Sequence, residues 1–235
     1  MVERVSTGIP GLDEMIEGGY KKNNTILLVG GCGSGKSTMA MQYLVYGAQH
    51  GEPGIYVTFE EQIKEIKENM GRHKWDLGKL EDEGTLKLLR IDPQVVMNIV
   101  REEYGAIVDA INSLKAKRVV IDSVTSIEAM LEGEHNRRQW VLRLVDWLQK
   151  MGVTTVLISE SEQDPTKYSR HGVMEFVVDG VVVLYNIRRG KTRVRALEIL
   201  KMRGTDQMTS LVPYIISEGI QLQPRQMIFG DFGQE

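Results

Sequence analysis

The chain has 235 residues, enough for one sizeable core and short for two full domains. Its 42% hydrophobic and 26% charged residues are those of an ordinary soluble globular protein, and a net charge of -3 gives no global basic field to draw in nucleic acid or anionic membrane. A single cysteine excludes an intrachain disulfide framework, and neither a signal-like start nor a long apolar span is present, so the expected setting is cytoplasmic with no membrane partner.

In chain order, the apolar run "TILLV" ends in a glycine-rich stretch and is followed by a helix over "KSTMAMQYLVYGAQHG", with Met39, Tyr43, Leu44 and Tyr46 forming its apolar side up to Gly51. A strand in "GIYVTFEE" leads to the charged helix "EQIKEIKENMG", then a strand in "TLKLLRID" and a helix from about Gln94 to Lys115. "RVVIDS" is the next strand. "NRRQWVLRLVDWLQKMG" is a helix that packs Trp140, Leu144, Trp147, Leu148 and Met151 on the sheet, and "VTTVLISE" is a further strand. The alternation predicts an α/β fold: a mostly parallel central sheet with helices on both faces. From about Val181 the pattern changes to two strands around a Gly turn, a C-terminal antiparallel hairpin. No repeat or low-complexity linker divides the chain, so residues 1–235 are read as one domain with a short tail from about 224 to 235.

The glycine-rich stretch matches Gly30-x-x-x-x-Gly35-Lys36-Ser37, the Walker A pattern. Backbone N–H groups of Gly31, Cys32, Gly33, Ser34, Gly35, Lys36, Ser37 and Thr38 would line the oxygens of a nucleotide's phosphates, aided by the positive end of the following helix. Lys36 would reach the β- and γ-phosphates, and the Ser37 hydroxyl would ligate Mg²⁺. Asp122, after the apolar residues of "RVVID", is the Walker B acid that would hold the same ion through water, with Ser123 helping to order the site. Glu60 and Glu61 follow the strand "IYVTF", where open α/β sheets place ligands; strand alternation sends them to opposite faces, and Glu60 is favoured as the water-orienting base with Glu61 assisting. Cys32 is a small residue at a free loop position, and a helix N-terminus beside it favours a reactive thiolate. The four histidines lack metal-ligand spacing, so no zinc site is expected.

Beyond this loop, "STGIPGLDEMIEGGY", "EPGIYVTFEE", "WDLGKLEDEGTL", "KRVVIDSVTSI", "RHGVMEFVVDGVVVLYN", "LEILKMRGTDQM" and "GIQL" occur in the order typical of one family. From about Ser6 to Leu222 the chain resembles the KaiC-like branch of RecA-type ATPases, most like the first ATPase domain of its two-domain members. The resemblance implies a RecA-like P-loop core, ATP with Mg²⁺, slow hydrolysis, and a homo-oligomer, a hexameric ring, with nucleotide between subunits. It also gives a role to Lys201, Met202, Arg203, Gly204 and Thr205, which match the family's K-x-R-G-T finger. Such a finger reaches the neighbouring subunit's nucleotide and stabilises charge on the γ-phosphate. Residues 188–203 hold seven basic residues against one acid, Glu198, and a strict period of two would put Arg193, Arg195, Lys201 and Arg203 on one face. The family's histidine after "RGTx" is Gln207 here, so no phosphate contact is carried over to that position.

The favoured function is an ATP-hydrolysing oligomer that regulates a protein partner by nucleotide state. A DNA-binding recombination-type protein is the alternative; its support is the basic hairpin and Lys167, Tyr168, Arg170 and His171 in the loop after Glu160, few charges for tight binding to phosphates. An autokinase is a third reading, but the family's phosphorylated Ser-Thr pair falls on Glu175 and Phe176, neither of which accepts a phosphate, leaving Thr125 or Ser126 as other acceptors. A nucleotide-gated scaffold with negligible turnover is a fourth. Phe229 and Phe232 in the tail are candidates for docking on a neighbour.

Overall fold

A computed structural model describes residues 2–102, 105–161 and 172–224. The tail phenylalanines and Lys167, Tyr168, Arg170 and His171 lie outside the described residues. Two short strands, β1 (Arg4–Val5) and β2 (Tyr20–Lys21), pair antiparallel around α1 (Leu12–Met15). The main α/β part follows as β3 (Thr25–Gly30), α2 (Lys36–Gln49), β4 (Gly54–Thr58), α3 (Ile63–Gly71), α4 (Leu77–Asp82), β5 (Leu86–Arg90), α5 (Pro93–Glu102), α6 (Ala106–Leu114), β6 (Arg118–Asp122), α7 (Val124–Glu128), α8 (Glu134–Lys150) and β7 (Thr154–Glu160). It closes with α9 (Met174–Val177), β8 (Gly180–Arg189), β9 (Thr192–Met202), β10 (Val212–Ile216) and β11 (Ile220–Leu222).

β3 to β11 form one sheet in the order β11-β10-β9-β8-β3-β7-β6-β4-β5. From β8 through β5 every pairing is parallel; β8, β9, β10 and β11 pair antiparallel. β3 and β4 are continuous apolar runs because both sheet faces are covered, and every one of their residues is buried. Side-chain alternation then splits the core in two. Ile26, Leu28, Tyr56 and Val120 pack with Met39, Tyr43 and Leu44 of α2 on one face. Leu27, Val29, Ile55, Ile121 and Leu157 pack with Trp140, Leu144, Trp147 and Leu148 of α8 on the other.

Two expectations change. The single helix expected from Gln94 to Lys115 is two helices, α5 and α6; Gly105, at φ +128°, sits just before α6 in a backbone conformation that a side chain resists. The hairpin is also not strictly alternating: Val182 pairs with Ile199, but its neighbour Val181 pairs with Lys201. This bulge leaves one residue, Leu200, extra on β9, and the side-chain alternation shifts by one. Arg193 and Arg195 therefore share the face of Leu197 and Ile199, while Lys201 turns to the opposite face with Val181.

Candidate functional site

The glycine-rich loop leaves β3 at the carboxyl end of the parallel sheet and turns into α2 at Lys36. A side chain on Gly30 would lie 2.5 Å from the Leu184 carbonyl oxygen and 2.7 Å from Ser34 Oγ, so the loop's first position admits only glycine. Gly35 has φ +94°, and a Cβ there would meet Ile216 at 2.7 Å. Ser34 is buried and donates from Oγ to the Gly31 carbonyl at 2.9 Å, while the Tyr214 hydroxyl donates to the Ser34 carbonyl. Asn186 Nδ2 holds the Cys32 carbonyl at 3.3 Å and Arg195 Nε reaches the Gly33 carbonyl at 3.4 Å. Cys32 itself is exposed at the tip.

Lys36 Nζ donates to the Gly31 carbonyl at 3.2 Å. Burial lowers its pKa, opposed by the charges of Glu160, Asp122 and Cys32. The Ser37 hydroxyl donates to Asp122 Oδ2 at 2.8 Å, which brings together the two residues expected to share a metal ion. The Tyr56 hydroxyl donates to the same oxygen. Burial raises the Asp122 pKa, and the hydrogen bonds from Tyr56 and Ser37 and the Lys36 charge work against that rise.

β4 ends at Thr58, two residues before Glu60, so strand alternation does not separate Glu60 from Glu61. Both line one cleft with Lys36, Ser37, Thr58, Asp122, Ser123 and Glu160. The Ser126 hydroxyl donates to Glu60 Oε1 at 2.6 Å, and Glu61 has its pKa raised by burial and then by Asp122, Glu65 and Glu60. Glu160, at the end of β7, is a fourth carboxylate in the cleft, beside Glu60, Glu61 and Asp122, and the sequence reading left it unassigned. It was open to the same argument that selected Glu60, an acid at a strand's carboxyl end. Its backbone N–H donates to Thr125 Oγ1 at 2.9 Å, so α7 braces both Glu60 and Glu160.

Lys201 and Arg203 do not join this cleft. Lys201 pairs with Val181, which pairs with Leu27 at the entering end of β3, three residues and about 10 Å of strand before Gly30. Lys201 Nζ donates to the carbonyls of Val178 at 2.7 Å and Glu175 at 3.1 Å; Arg203 reaches the Phe176 carbonyl at 3.1 Å and Asp179 Oδ1 at 3.4 Å. Burial and the Arg203 charge lower the Lys201 pKa. Met202 is buried, and Gly204 (φ +60°) and Thr205 form the turn that follows.

The sequence profile described as "ATPase: KaiC" matches residues 5–227. The chain belongs to the KaiC ATPase family. It is 37% identical to the circadian clock protein KaiC3 of Synechocystis sp. over 97% of this chain and 47% of that protein. It is 37% identical to the circadian clock oscillator protein KaiC of Synechococcus elongatus over 95% of this chain and 44% of that protein. The chain thus spans about half the length of the curated relatives it matches. Among solved structures, a KaiC-like protein from the archaeon Pyrococcus horikoshii OT3 superposes with a TM-score of 0.84 at 39% identity, covering 95% of this chain and 100% of that one. The fold of this KaiC-family chain is accordingly the RecA-like ATP-binding fold, with its mixed sheet and C-terminal antiparallel strands. Among the described residues no helix is long and apolar enough to cross a membrane.

The donor set fits a magnesium ion: a hydroxyl and a carboxylate in contact, both hard oxygen ligands, beside a loop built for phosphates. Phosphate oxygens and water would complete the coordination, as Mg²⁺ sites with few protein ligands require. Beside the loop, a second cleft of about 320 Å³ lies between Arg72, His73, Arg195, Ile216 and Ser217. No motif pointed to it, because its residues come from the turn after α3, from β9 and from the end of β10 with the residue after it, and meet only in the folded chain.

Proposed function

We propose that this KaiC-family chain is a Mg²⁺-dependent ATPase whose active site is completed by a neighbouring copy of itself, in a hexameric ring, and whose nucleotide state regulates a protein partner. Family membership and the loop geometry support ATP as substrate. Lys36 exchanges the Gly31 carbonyl for the β- and γ-phosphates, where its fixed charge is better satisfied. A magnesium ion held by Ser37 and Asp122 would neutralise charge on the phosphates. Glu60, its carboxylate fixed by Ser126, orients the attacking water, and Glu61 assists from the same cleft.

The observation that carries the shared-site reading is the position of Lys201 and Arg203. These two cations stand at the far end of the sheet from their own phosphate loop, so the γ-phosphate they serve belongs to the next subunit. Arg193 and Arg195 lie on the opposite face from Lys201 and donate to the carbonyls of Asn186 and Gly33, so the hairpin presents no single basic face, which counts against a nucleic-acid-binding role for it. Glu175 and Phe176 stand in α9 without a hydroxyl, which counts against the autokinase reading.

The test is phosphate release with and without Mg²⁺. Wild type hydrolyses ATP only with the metal. Glu60→Gln lowers kcat about 10²-fold or more, and Glu61→Gln less, with ATP still bound. Turnover at background for wild type and Glu60→Gln alike would replace hydrolysis by the scaffold reading.

A further inference from the structure

The turn that carries the in-trans cations is fastened to the N-terminal strand pair by one side chain. Arg4 on β1 is largely buried and its guanidinium makes a set of directed bonds. The two hydrogens of Nη1 are shared among three acceptors, the Ile16 carbonyl at 2.9 Å, the Gly19 carbonyl at 3.0 Å and Thr205 Oγ1 at 3.2 Å, and Nη2 pairs with Glu17. The same segment holds the turn again further on, where the Met208 N–H donates to the Met15 carbonyl at 3.0 Å. On the other side, the Arg203 N–H donates to the Asp179 carbonyl at 2.9 Å and the Thr205 N–H to the Met202 carbonyl at 3.2 Å. Gly204 lets Lys21 of β2 approach closely: a Cβ there would lie 2.3 Å from Lys21 Nζ.

We infer that Arg4 is a positioning residue for catalysis at the neighbouring subunit's site, an inference that rests on the shared-site reading above. The chemistry is specific. A guanidinium only donates, so Thr205 Oγ1 accepts from Arg4 with one of its lone pairs. The hydroxyl keeps its single proton, for which no acceptor stands among the described residues, and a nucleotide phosphate oxygen is a suitable one. Arg4 thereby fixes both the place of the turn and the polarity of Thr205, making it a donor next to Lys201 and Arg203. Two elements distant in sequence, residues 4–21 and 201–208, form one rigid surface offered to an anionic partner.

Positioning predicts a defect in the chemical step at a site Arg4 never touches. Arg4→Ala lowers kcat about 10-fold or more, as a displaced contact of about 1 Å does in other enzymes, while the ATP Kd changes less than about 2-fold. Thr205→Val, which leaves the other Arg4 bonds intact, gives a similar loss, and adding Arg4→Ala to it lowers kcat by less than a further 2-fold or so. Additive losses would overturn the inference, as would a wild-type kcat in either variant.

Mixed assemblies separate this inference from the reading beneath it. Subunits with Glu60→Gln and Glu61→Gln together have a dead site and an intact finger; Arg4→Ala subunits have an intact site and a displaced finger. Mixing them restores hydrolysis if Arg4 acts in trans. The control mixes the same dead-site subunits with Lys201→Ala/Arg203→Ala subunits. Recovery in the control but not with Arg4→Ala overturns the role of Arg4 alone. No recovery in either mixture overturns the shared site and this inference with it.

Discussion

Glu128 on α7 is fully buried, and among the described residues neither carboxylate oxygen has a hydrogen-bond partner. Burial, and next the negative charge of Glu175, raise its pKa from 4.5 to about 7, with Arg137 opposing. The folded state therefore holds a proton that the unfolded chain releases near pH 4.5. Below that pH both states are protonated and nothing is lost. Between pH 4.5 and 7 stability falls as pH rises, by about 1.4 kcal/mol per unit, and above pH 7 the whole penalty of about 3 kcal/mol is present. Glu128→Gln removes the titration and keeps the shape. Urea unfolding of nucleotide-free protein at pH 5 and pH 8 measures the difference. The gain in stability from the substitution is expected to be larger at pH 8 than at pH 5 by roughly 2–3 kcal/mol. A gain equal at the two pH values, within about 1 kcal/mol, would refute the assignment of a buried, protonated carboxylate.

Lys36→Ala removes the charge proposed to face the phosphates, and ATP affinity measured by calorimetry is expected to fall about 10²-fold or more, as for loss of a charge-assisted contact in a partly desolvated site. Asp122→Asn removes a proposed carboxylate ligand and weakens Mg²⁺ binding, so the Mg²⁺ concentration for half-maximal turnover rises at least about 10-fold, read from metal titrations of phosphate release. Alkylation of the exposed Cys32 fills the mouth of the loop and blocks nucleotide binding; prior ATP slows the reaction, and unchanged ATP affinity after complete modification would contradict this.

Local pattern made most of the fold legible. Runs such as Thr25–Gly30 and Arg118–Asp122 are too apolar to face water on either side, which announces a parallel sheet covered twice. The loop was equally legible, since its glycines and Lys36 act through spacing along one short segment. What was hidden depends on partners distant in sequence. The bulge at Leu200 arises from how β9 meets β8, so counting by twos put Lys201 on the face of Arg195 when it lies on the other. Glu60 and Glu61 were separated by an alternation that ends with β4 at Thr58. Tyr56 and Ser126 reach the cleft's carboxylates Asp122 and Glu60, and Glu160 joins that cleft, only because β4, β6 and β7 are neighbours in the sheet with α7 following β6. Arg4 shows no signal at all near Thr205 until the two short strands dock under the turn. The break between α5 and α6, by contrast, was marked by Gly105 in plain view.

The proposed shared site would make catalysis depend on contact between copies. The direct measurement is ATP hydrolysis per chain, with Mg²⁺, as protein concentration is raised through the range in which light scattering records assembly. A site shared between copies predicts almost no turnover for the monomer and a rise that follows the assembled fraction. A constant rate per chain, held by a monomer at every concentration, would contradict it.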